Sequence, residues 1–409
     1  MGRKTHVQRA SVNDILKFIN DDEMLNQCIA FDDFAQIPIV LGELPWDTSR
    51  NQRAWRDSDD SALYAYCQTM PNSVTKNDVL DALRIHLSAN KVHPVRDWLQ
   101  GLQWDGVERV PTLLHDALGA ELSDYTREVA RLLTQGAISR VMVPGSKFDY
   151  LIVLVGSQGV GKSTFLMGLA WRDDWFLDGI PNLTSVKDFA ETVRGKWIVE
   201  VSELDGMSGR DINKVKAAIT RRQDTYRAPY ARRTIDQPRQ CLLVGTSNES
   251  SFLTDTTGNR RFVVVECGKA VPTVNVWDTE TFKPYVRQVW AEAMHNWQAT
   301  NGRPSLFMDP KLEAEAIAMQ ESYLTQSDEI ALVNDWLLGH QVTCVAQVVT
   351  ECLGIERTNP LFNGTSRSVR RILDNHCPGW VRYRGSKSHK TRVGKYGITL
   401  AWEYVGGDV

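Results

Sequence analysis

The sequence lacks several features that would assign it to a membrane, secreted or nucleic-acid-coating class. No run approaches the 18 apolar residues that a membrane span needs, and the first residues lack the apolar core of a secretory signal. The formal net charge is only −3, so any nucleic-acid site must be local. Seven scattered cysteines form no Cys-x-x-Cys pair. We expect reduced thiols in a cytoplasmic protein with no membrane partner.

What is present is typical of a large globular chain. The 409 residues are 42% hydrophobic and include 13 tryptophans, enough for a sizeable core divided over two or three domains. Periodicity predicts a mainly helical domain over residues 1–122, alternating strands and helices over 123–300, and helices followed by a basic hairpin over 305–409. The fold class predicted is α/β, with a helical N-terminal domain and a winged-helix-like C-terminal domain.

The central stretch, residues 149–170, predicts a strand, a glycine-rich loop and a helix. Tyr150–Val155 is a continuous apolar run, as in a strand buried on both faces of a parallel sheet. The loop that follows fits the G-x-x-x-x-G-K-[ST] pattern of phosphate-binding loops. Its predicted nucleotide-binding residues are Gly156, Ser157, Gln158, Gly159, Val160, Gly161, Lys162, Ser163 and Thr164.

This pattern has a chemical reason, and it predicts ATP and Mg²⁺ as the bound groups. Glycines let consecutive backbone N–H groups turn toward phosphate oxygens, and the following helix adds its N-terminal dipole. Lys162 is expected to bridge the β- and γ-phosphates, and Ser163 to ligate Mg²⁺.

Hydrolysis needs a carboxylate, a residue that holds water, and a further positive charge. The second strand, Trp197–Val201, leads into acidic residues, of which Glu203 is the preferred metal ligand and Glu200 the second choice. Glu200 has an alternative interpretation as a strand-edge residue facing water. Asn248, after the third strand, is a candidate for holding the attacking water. The adjacent Arg260 and Arg261 are both candidates for an arginine finger given to a neighbouring subunit.

A basic segment between the second and third strands predicts contact with single-stranded DNA. Residues 221–239 contain six arginines and two aspartates, with tyrosines between the arginines. Aromatic rings stack on bases and arginines bind phosphates, although a solvated loop has the same composition. The candidate DNA-binding residues are Tyr226, Arg227, Tyr230, Arg232 and Arg233. The C-terminal part is also basic, with nine Lys or Arg against three Asp or Glu from residue 361 onward.

These motifs, in this order, resemble the virulence-associated protein E family of prophages and mobile islands, which is similar to superfamily 3 helicases of the AAA+ class. The resemblance covers nearly the whole chain. It rests on 93–97 (HPVRD), 104–109 (WDGVER), 140–149, the glycine loop, 195–204 and 257–262 (TGNRRF). The resemblance implies a homohexameric ring, ATP-driven movement on DNA, and a role in phage-type replication in a bacterial host. One departure is that the strand acids Glu200 and Glu203 are not adjacent.

The function predicted from the sequence is an ATP-dependent DNA helicase or translocase. A non-processive DNA-binding ATPase, acting as an initiator, loader or switch, has nearly the same sequence features. A P-loop phosphotransferase needs an acceptor pocket and a lid, neither of which the sequence indicates. A structural protein with a decayed site is the remaining alternative.

Overall fold

The chain folds into two compact units in the computed structural model. The structure describes residues 8–180, 186–202, 204, 209–226, 235–248, 261–322, 328–359, 361–375 and 377–406. One unit contains the described residues up to 250 and from 261 to 320, and the other contains those from 321 onward. A boundary at residue 122 within the first unit stays a prediction.

The first part of the chain combines helices with a small mixed sheet. Helices α1–α7 span Val12–Asp21, Glu23–Cys28, Asp57–Cys67, Lys76–Ala89, Pro94–Gln100, Leu113–Leu118 and Asp124–Met142. Strands β1–β4 span Ile29–Asp32, Ile37–Val40, Arg53–Ala54 and Lys91–Val92, in the sheet order β3-β2-β1-β4. The mainly helical expectation for this region was therefore incomplete. Strands of two to four residues are too short to produce a readable alternation.

Side-chain caps explain where the long helices of this region begin. The Ser11 and Ser123 side chains accept from the backbone N–H three residues on, and each helix start forms a reciprocal capping box. Thr75 caps α4 in the same way through Asp78 N. These polar residues satisfy backbone donors that the first helical turn leaves without intrahelical partners. Each of these three helices therefore begins directly after a serine or threonine that caps it.

A parallel five-stranded sheet forms the centre of the first unit. Strands β5–β11 span Leu151–Val155, Phe176–Leu177, Ile198–Val201, Gln223–Tyr226, Ile235–Pro238, Leu242–Ser247 and Phe262–Glu266. Helices α8–α12 span Lys162–Leu169, Val186–Thr192, Gly209–Ile219, Thr279–Ala299 and Pro310–Ser322. The sheet order is β11-β5-β10-β7-β6, with every neighbouring pair parallel, whereas β8 and β9 form a separate antiparallel hairpin.

Apolar side chains from α7, α8 and α11 cover this sheet. All five residues of β5 are buried, as predicted for a strand covered on both faces. Trp197 and Trp290 are fully buried with ring centroids 4.4 Å apart. Each indole N–H reaches a backbone carbonyl, that of Ala137 at 3.0 Å and that of Leu169 at 2.8 Å. The core thus fixes α7 and α8 against the strands without leaving these donors unsatisfied.

The described residues of the second unit form three α-helices, a π-helix at Val348–Cys352 that continues the second of them, and a small antiparallel sheet. Helices α13–α15 span Asp328–Leu337, Val345–Gln347 and Phe362–Asn375, and strands β12–β15 span Val342–Cys344, Trp380–Arg382, Lys390–Arg392 and Ile398–Tyr404. Strands β12, β13 and β14 each pair antiparallel with β15. The hairpin predicted for this part of the chain is confirmed by the antiparallel pairing of β13 with β15, and β14 is an additional strand. No helix among the described residues of either unit has the length and apolar character needed to cross a membrane.

Candidate functional site

The glycine loop joins β5 to α8 at the carboxyl edge of the parallel sheet. Gly159 and Gly161 have φ of 87° and 94°, which side-chain-bearing residues rarely adopt. A Cβ on Gly156 would lie 2.9 Å from the carbonyl oxygen of Cys267, so close approach also requires glycine there. Gly156 N donates to the carbonyl of Ser247 at 3.3 Å. The predicted strand, loop and helix are confirmed, and the loop is tied to the neighbouring strand β10.

Lys162 places its ammonium group inside the loop. Its Nζ donates to the carbonyls of Gly156 at 2.6 Å and Ser157 at 3.1 Å, and to Oδ1 of Asn248 at 3.0 Å. The lysine is only 7% exposed, whereas Asn248 is exposed. The structure therefore brings together two predicted site residues that lie 86 positions apart in the sequence.

Glu200 lies at the floor of the same site, under the first turn of α8. Its Oε1 accepts from Ser163 Oγ at 2.8 Å and from Thr246 Oγ1 at 2.6 Å. Its Oε2 is buried without a hydrogen-bond partner. Burial raises the pKa of Glu200 above its ordinary value, and the two hydroxyl donors oppose that rise. The interpretation of Glu200 as a water-facing edge residue is wrong, because it is fully buried on a strand with neighbours on both sides.

The register of the parallel strands explains this cluster. Glu200 pairs with Val244, so Thr246 lies two residues nearer the carboxyl edge on the same face of the sheet. Ser163 comes from the N-terminal turn of α8, whose N-cap is Gly161. Ser247 pairs with Val155, which places Asn248 level with the start of the glycine loop. Three separate strands and one helix end therefore meet at one edge.

These residues line an open cleft of about 370 Å³. Its other lining residues are Gln158, Gly159, Gly161, Thr164, Asp178, Ser202, Ser247 and Trp277. Thr246, Ser247, Asp178, Ser202 and Trp277 were not predicted as site residues from the sequence. Asp178 follows β6, a strand of two residues, which is too short to show a sequence pattern. Trp277 is far from the other lining residues in the sequence, and only the tertiary fold brings it to the cleft. Thr246 ends the apolar run that precedes Ser247 and Asn248, and a hydroxyl at the carboxyl end of a strand in a parallel sheet was the available signal.

Several predicted residues lie outside the described residues. They are Glu203, Arg260, Arg227, Tyr230, Arg232 and Arg233. Tyr226 is the last residue of β8, so the basic segment falls between the two strands of the β8–β9 hairpin. Arg261 is half-buried and directly precedes β11. Since β11 runs parallel to β5, with Phe262 opposite Leu151, Arg261 lies at the amino edge of the sheet, away from the cleft.

A buried ion pair anchors the β8–β9 hairpin to the first unit. The Arg239 guanidinium donates to both carboxylate oxygens of Asp224, with nitrogen–oxygen distances of 2.7–3.1 Å, and both side chains are nearly fully buried. The same guanidinium donates to the carbonyl of Ala218 and lies over the ring of Phe189. A buried ion pair with two parallel hydrogen bonds holds its two side chains in one arrangement. Here it holds together the base of the hairpin that carries the basic segment.

Gly161→Ala is expected to destabilise the loop more than Gly159→Ala. Both residues have positive φ, so each substitution adds roughly 1–2 kcal/mol of backbone strain. Only at Gly161 would the new Cβ also meet other atoms, Val276 Cγ2 at 2.7 Å and the Trp277 ring at 3.1 Å. At Gly159 nothing lies within 4 Å. Thermal unfolding of the two variants measures the difference, and equal losses would mean that the contacts around Gly161 add no cost beyond the backbone strain.

The protein has a mixed α/β fold, and its glycine loop and a buried glutamate line one cleft at the carboxyl edge of the parallel sheet. Among known families, the model of the virulence-associated protein E-like domain matches residues 99–325. That range is more than half of the chain, and the chain belongs to this family. The match contains the glycine loop, β7 and β10, so every described residue of the cleft lies within it.

Solved structures also resemble this chain. The A form apo structure of the NrS-1 C terminal region (305–718) is 13% identical, with a TM-score of 0.50, and the match covers 97% of this chain and 100% of that one. Another apo structure of the same region is 15% identical, with a TM-score of 0.49, and covers 96% and 99%. At these identities the likeness concerns the fold alone. No curated protein matches the chain.

Proposed function

We propose that the protein is an ATP-dependent DNA helicase or translocase of phage or mobile-element replication, with a P-loop ATPase core of the superfamily 3 type. The observation that carries the proposal is the convergence of Lys162, Ser163, Glu200 and Asn248 at one sheet edge. Parallel α/β sheets bind ligands at this edge, and a glycine loop before a helix is suited to phosphate. Membership of the virulence-associated protein E-like family supports the link to mobile elements.

The residues present fit a nucleotide with magnesium. Ser163 Oγ and the buried Glu200 Oε2, which lacks a partner, provide oxygen at one point of the cleft. The described residues contain no group of three or more His, Cys, Asp or Glu suited to a metal. That matches Mg²⁺, which is typically held by one or two protein oxygens together with phosphate and water. When bound, Mg²⁺ would neutralise charge on the terminal phosphates.

Each residue then has a defined role. Lys162 would bind the β- and γ-phosphates from inside the loop, and Ser163 would provide a hydroxyl ligand to Mg²⁺. Glu200 accepts from Ser163 and Thr246 through Oε1 and so holds both side chains in place, and its charge would favour a cation at this point. Asn248, whose Oδ1 accepts a hydrogen bond from Lys162 Nζ, is proposed to hold the attacking water beside the γ-phosphate. Glu203, which lies outside the described residues, remains a proposed carboxylate for holding the metal and orienting water.

The position of Arg261 supports a site shared between subunits. Arg261 is level with Tyr150 at the amino end of β5, and Gly156 lies six strand positions further along. At 3.3 Å per residue, that is about 20 Å, too far for an arginine to reach its own loop. An arginine finger at Arg261 therefore serves the nucleotide of a neighbouring copy in a homohexameric ring.

Mixing two inactive variants tests this arrangement. We expect Lys162→Ala and Arg261→Ala each to lose ATP hydrolysis alone, because each removes positive charge that stabilises the transferred phosphate. In mixed rings, some interfaces pair an intact Lys162 with an intact Arg261, so mixing should restore part of the activity. Phosphate release measured after co-assembly is the readout. Unrestored activity, with mixed rings shown by mass, would contradict a finger at Arg261.

Two basic regions of the chain are proposed to bind DNA. The first is the segment between β8 and β9, held at its base by the Asp224–Arg239 pair. The second is the C-terminal unit, which we propose to be a winged helix; there α15 carries the exposed Arg370, and the segment between β13 and β14 carries Arg384 and Lys387. Lysine and arginine on such surfaces bind phosphates, and the affinity then falls steeply with salt.

ATPase activity with and without single-stranded DNA, measured alongside particle mass, tests the proposal. Stimulation by DNA together with a ring-sized particle supports the motor. Strand displacement on a forked substrate separates a helicase from a non-processive initiator or loader. A monomer that hydrolyses ATP at full rate without DNA would overturn the motor and favour a P-loop phosphotransferase.

A further inference from the structure

We propose that Trp277 is the base-stacking residue of the cleft and gives the site its preference for a nucleoside triphosphate over triphosphate alone. The inference rests on the proposed nucleotide site and adds the recognition of the nucleoside. Trp277 lies 115 residues after Lys162 in the sequence, in a segment without strand or helix between β11 and α11.

The segment 267–278 that carries Trp277 is firmly held. Cys267 N donates to the carbonyl of Val155 at 2.7 Å, and both Thr273 N and Val274 N donate to that of Asp116 at 2.9 Å. At its other end Asp278 caps α11. Both ends are therefore fixed to the unit that contains the glycine loop, and the segment presents its side chains in one place.

Trp277 lies directly beside the glycine loop. A Cβ on Gly161 would lie 3.1 Å from Cζ2 and 3.2 Å from Cη2 of the indole, so one edge of the ring borders the residue before Lys162. The neighbouring Val276 is only 4% exposed and anchors the turn. Trp277 is 59% exposed and lines the cleft, so much of its surface is open to solvent.

The chemistry of the lining points to a base as the partner of this ring. Among the described residues that line the cleft, Trp277 is the sole aromatic, and the remainder are polar, charged or glycine. A triphosphate held by Lys162 and Ser163 would occupy the polar part of the cleft. The nucleoside attached to it would then extend past the glycine loop toward the cleft opening. A flat indole at that exit offers a π-face to a base, and such stacking is sequence-tolerant but favours the larger purines.

Binding of two probes to the unaltered protein and to the variants Trp277→Ala, Trp277→Phe and Lys162→Ala tests the assignment. The probes are Mg-ATP and Mg-tripolyphosphate, which has the phosphates without a nucleoside, and binding is measured by calorimetry. Trp277→Ala is expected to weaken ATP binding about tenfold or more, the size of one base–aromatic stack. Tripolyphosphate binding should stay within about twofold, and Trp277→Phe should keep most of the ATP affinity because it retains a ring.

Each other result has a separate meaning. Equal losses for both probes would overturn the proposal and show that Trp277 only shapes the loop. Unchanged ATP binding, or a changed particle mass, would also overturn it, the latter by placing Trp277 between copies of the chain. Failure of the unaltered protein to bind tripolyphosphate, or normal binding by Lys162→Ala, would instead contradict the phosphate site of the proposed function.

Discussion

Lys162→Ala is expected to abolish ATP hydrolysis while the fold survives. Lys162 is the one Lys or Arg among the described residues that line the cleft, so none of the other described lining residues carries a positive charge that replaces its contact with phosphate. Loss of a single preorganised donor at developing charge reduces turnover by roughly 100-fold or more. The carbonyls of Gly156 and Ser157 that accept from Nζ lie in half-exposed or exposed residues, so water replaces the ammonium at little cost.

Lys216→Ala is the matched control for this variant. Lys216 is also only 7% exposed, but it lies near the ring of Phe262 and does not line the cleft. Phosphate release should fall for Lys162→Ala and persist for Lys216→Ala, with thermal unfolding showing both proteins folded. Normal turnover by folded Lys162→Ala would remove the basis for the site. Loss in both variants would point to a general effect of removing a buried lysine.

The glycine loop could be predicted because its information is local. A buried strand, the spacing of Gly156 and Gly161, and Lys162–Ser163 all lie within one short stretch, and the structure has them as a strand, loop and helix. The same holds for helices that begin at a capping serine or threonine. In these cases neighbouring residues alone determine backbone conformation, so a pattern is enough.

Residues whose positions depend on pairing between distant strands could not be placed in the same way. The sequence around Glu200 is compatible with a residue at a sheet edge and with a residue in the site. The pairing of β7 with β10 distinguishes the two interpretations. Because β11 runs parallel to β5, Arg261 lies at the amino edge of the sheet, opposite the edge that carries the glycine loop. Trp277 enters the cleft because its segment is tied to Asp116, a contact with no local signal.

Glu200→Gln is expected to reduce ATP hydrolysis roughly 100-fold or more and to weaken the dependence of nucleotide binding on Mg²⁺. Glutamine keeps the size of the side chain and an oxygen that accepts from Ser163 and Thr246. It replaces the charge at Oε2, the buried oxygen without a partner, with an amide. ATP binding measured with Mg²⁺ and with EDTA should therefore differ less in the variant than in the unaltered protein.

Glu203→Gln is the comparison that separates the two carboxylates. If Glu203 activates water, this variant should bind Mg-ATP normally and fail to hydrolyse it. Should Glu203→Gln lose the Mg²⁺ dependence while Glu200→Gln retains it, the metal role belongs to Glu203, as the sequence first favoured.

Stability provides an independent readout for Glu200, because its pKa is raised by burial. Between its unfolded and folded pKa the native state binds more protons than the unfolded state, so the free energy of unfolding falls as pH rises through that window. At pH values above the folded pKa, the ionised Glu200 carboxylate lowers the free energy of unfolding by a constant amount. Glu200→Gln has no such charge, so without Mg²⁺ the variant should gain stability over the unaltered protein as the pH is raised from below the ordinary glutamate pKa to neutrality. Chemical unfolding at a series of pH values measures that gain. A pH-independent difference would mean that folding leaves the pKa of Glu200 unchanged, so that its negative charge carries no cost in the folded protein, contrary to the burial seen for this carboxylate.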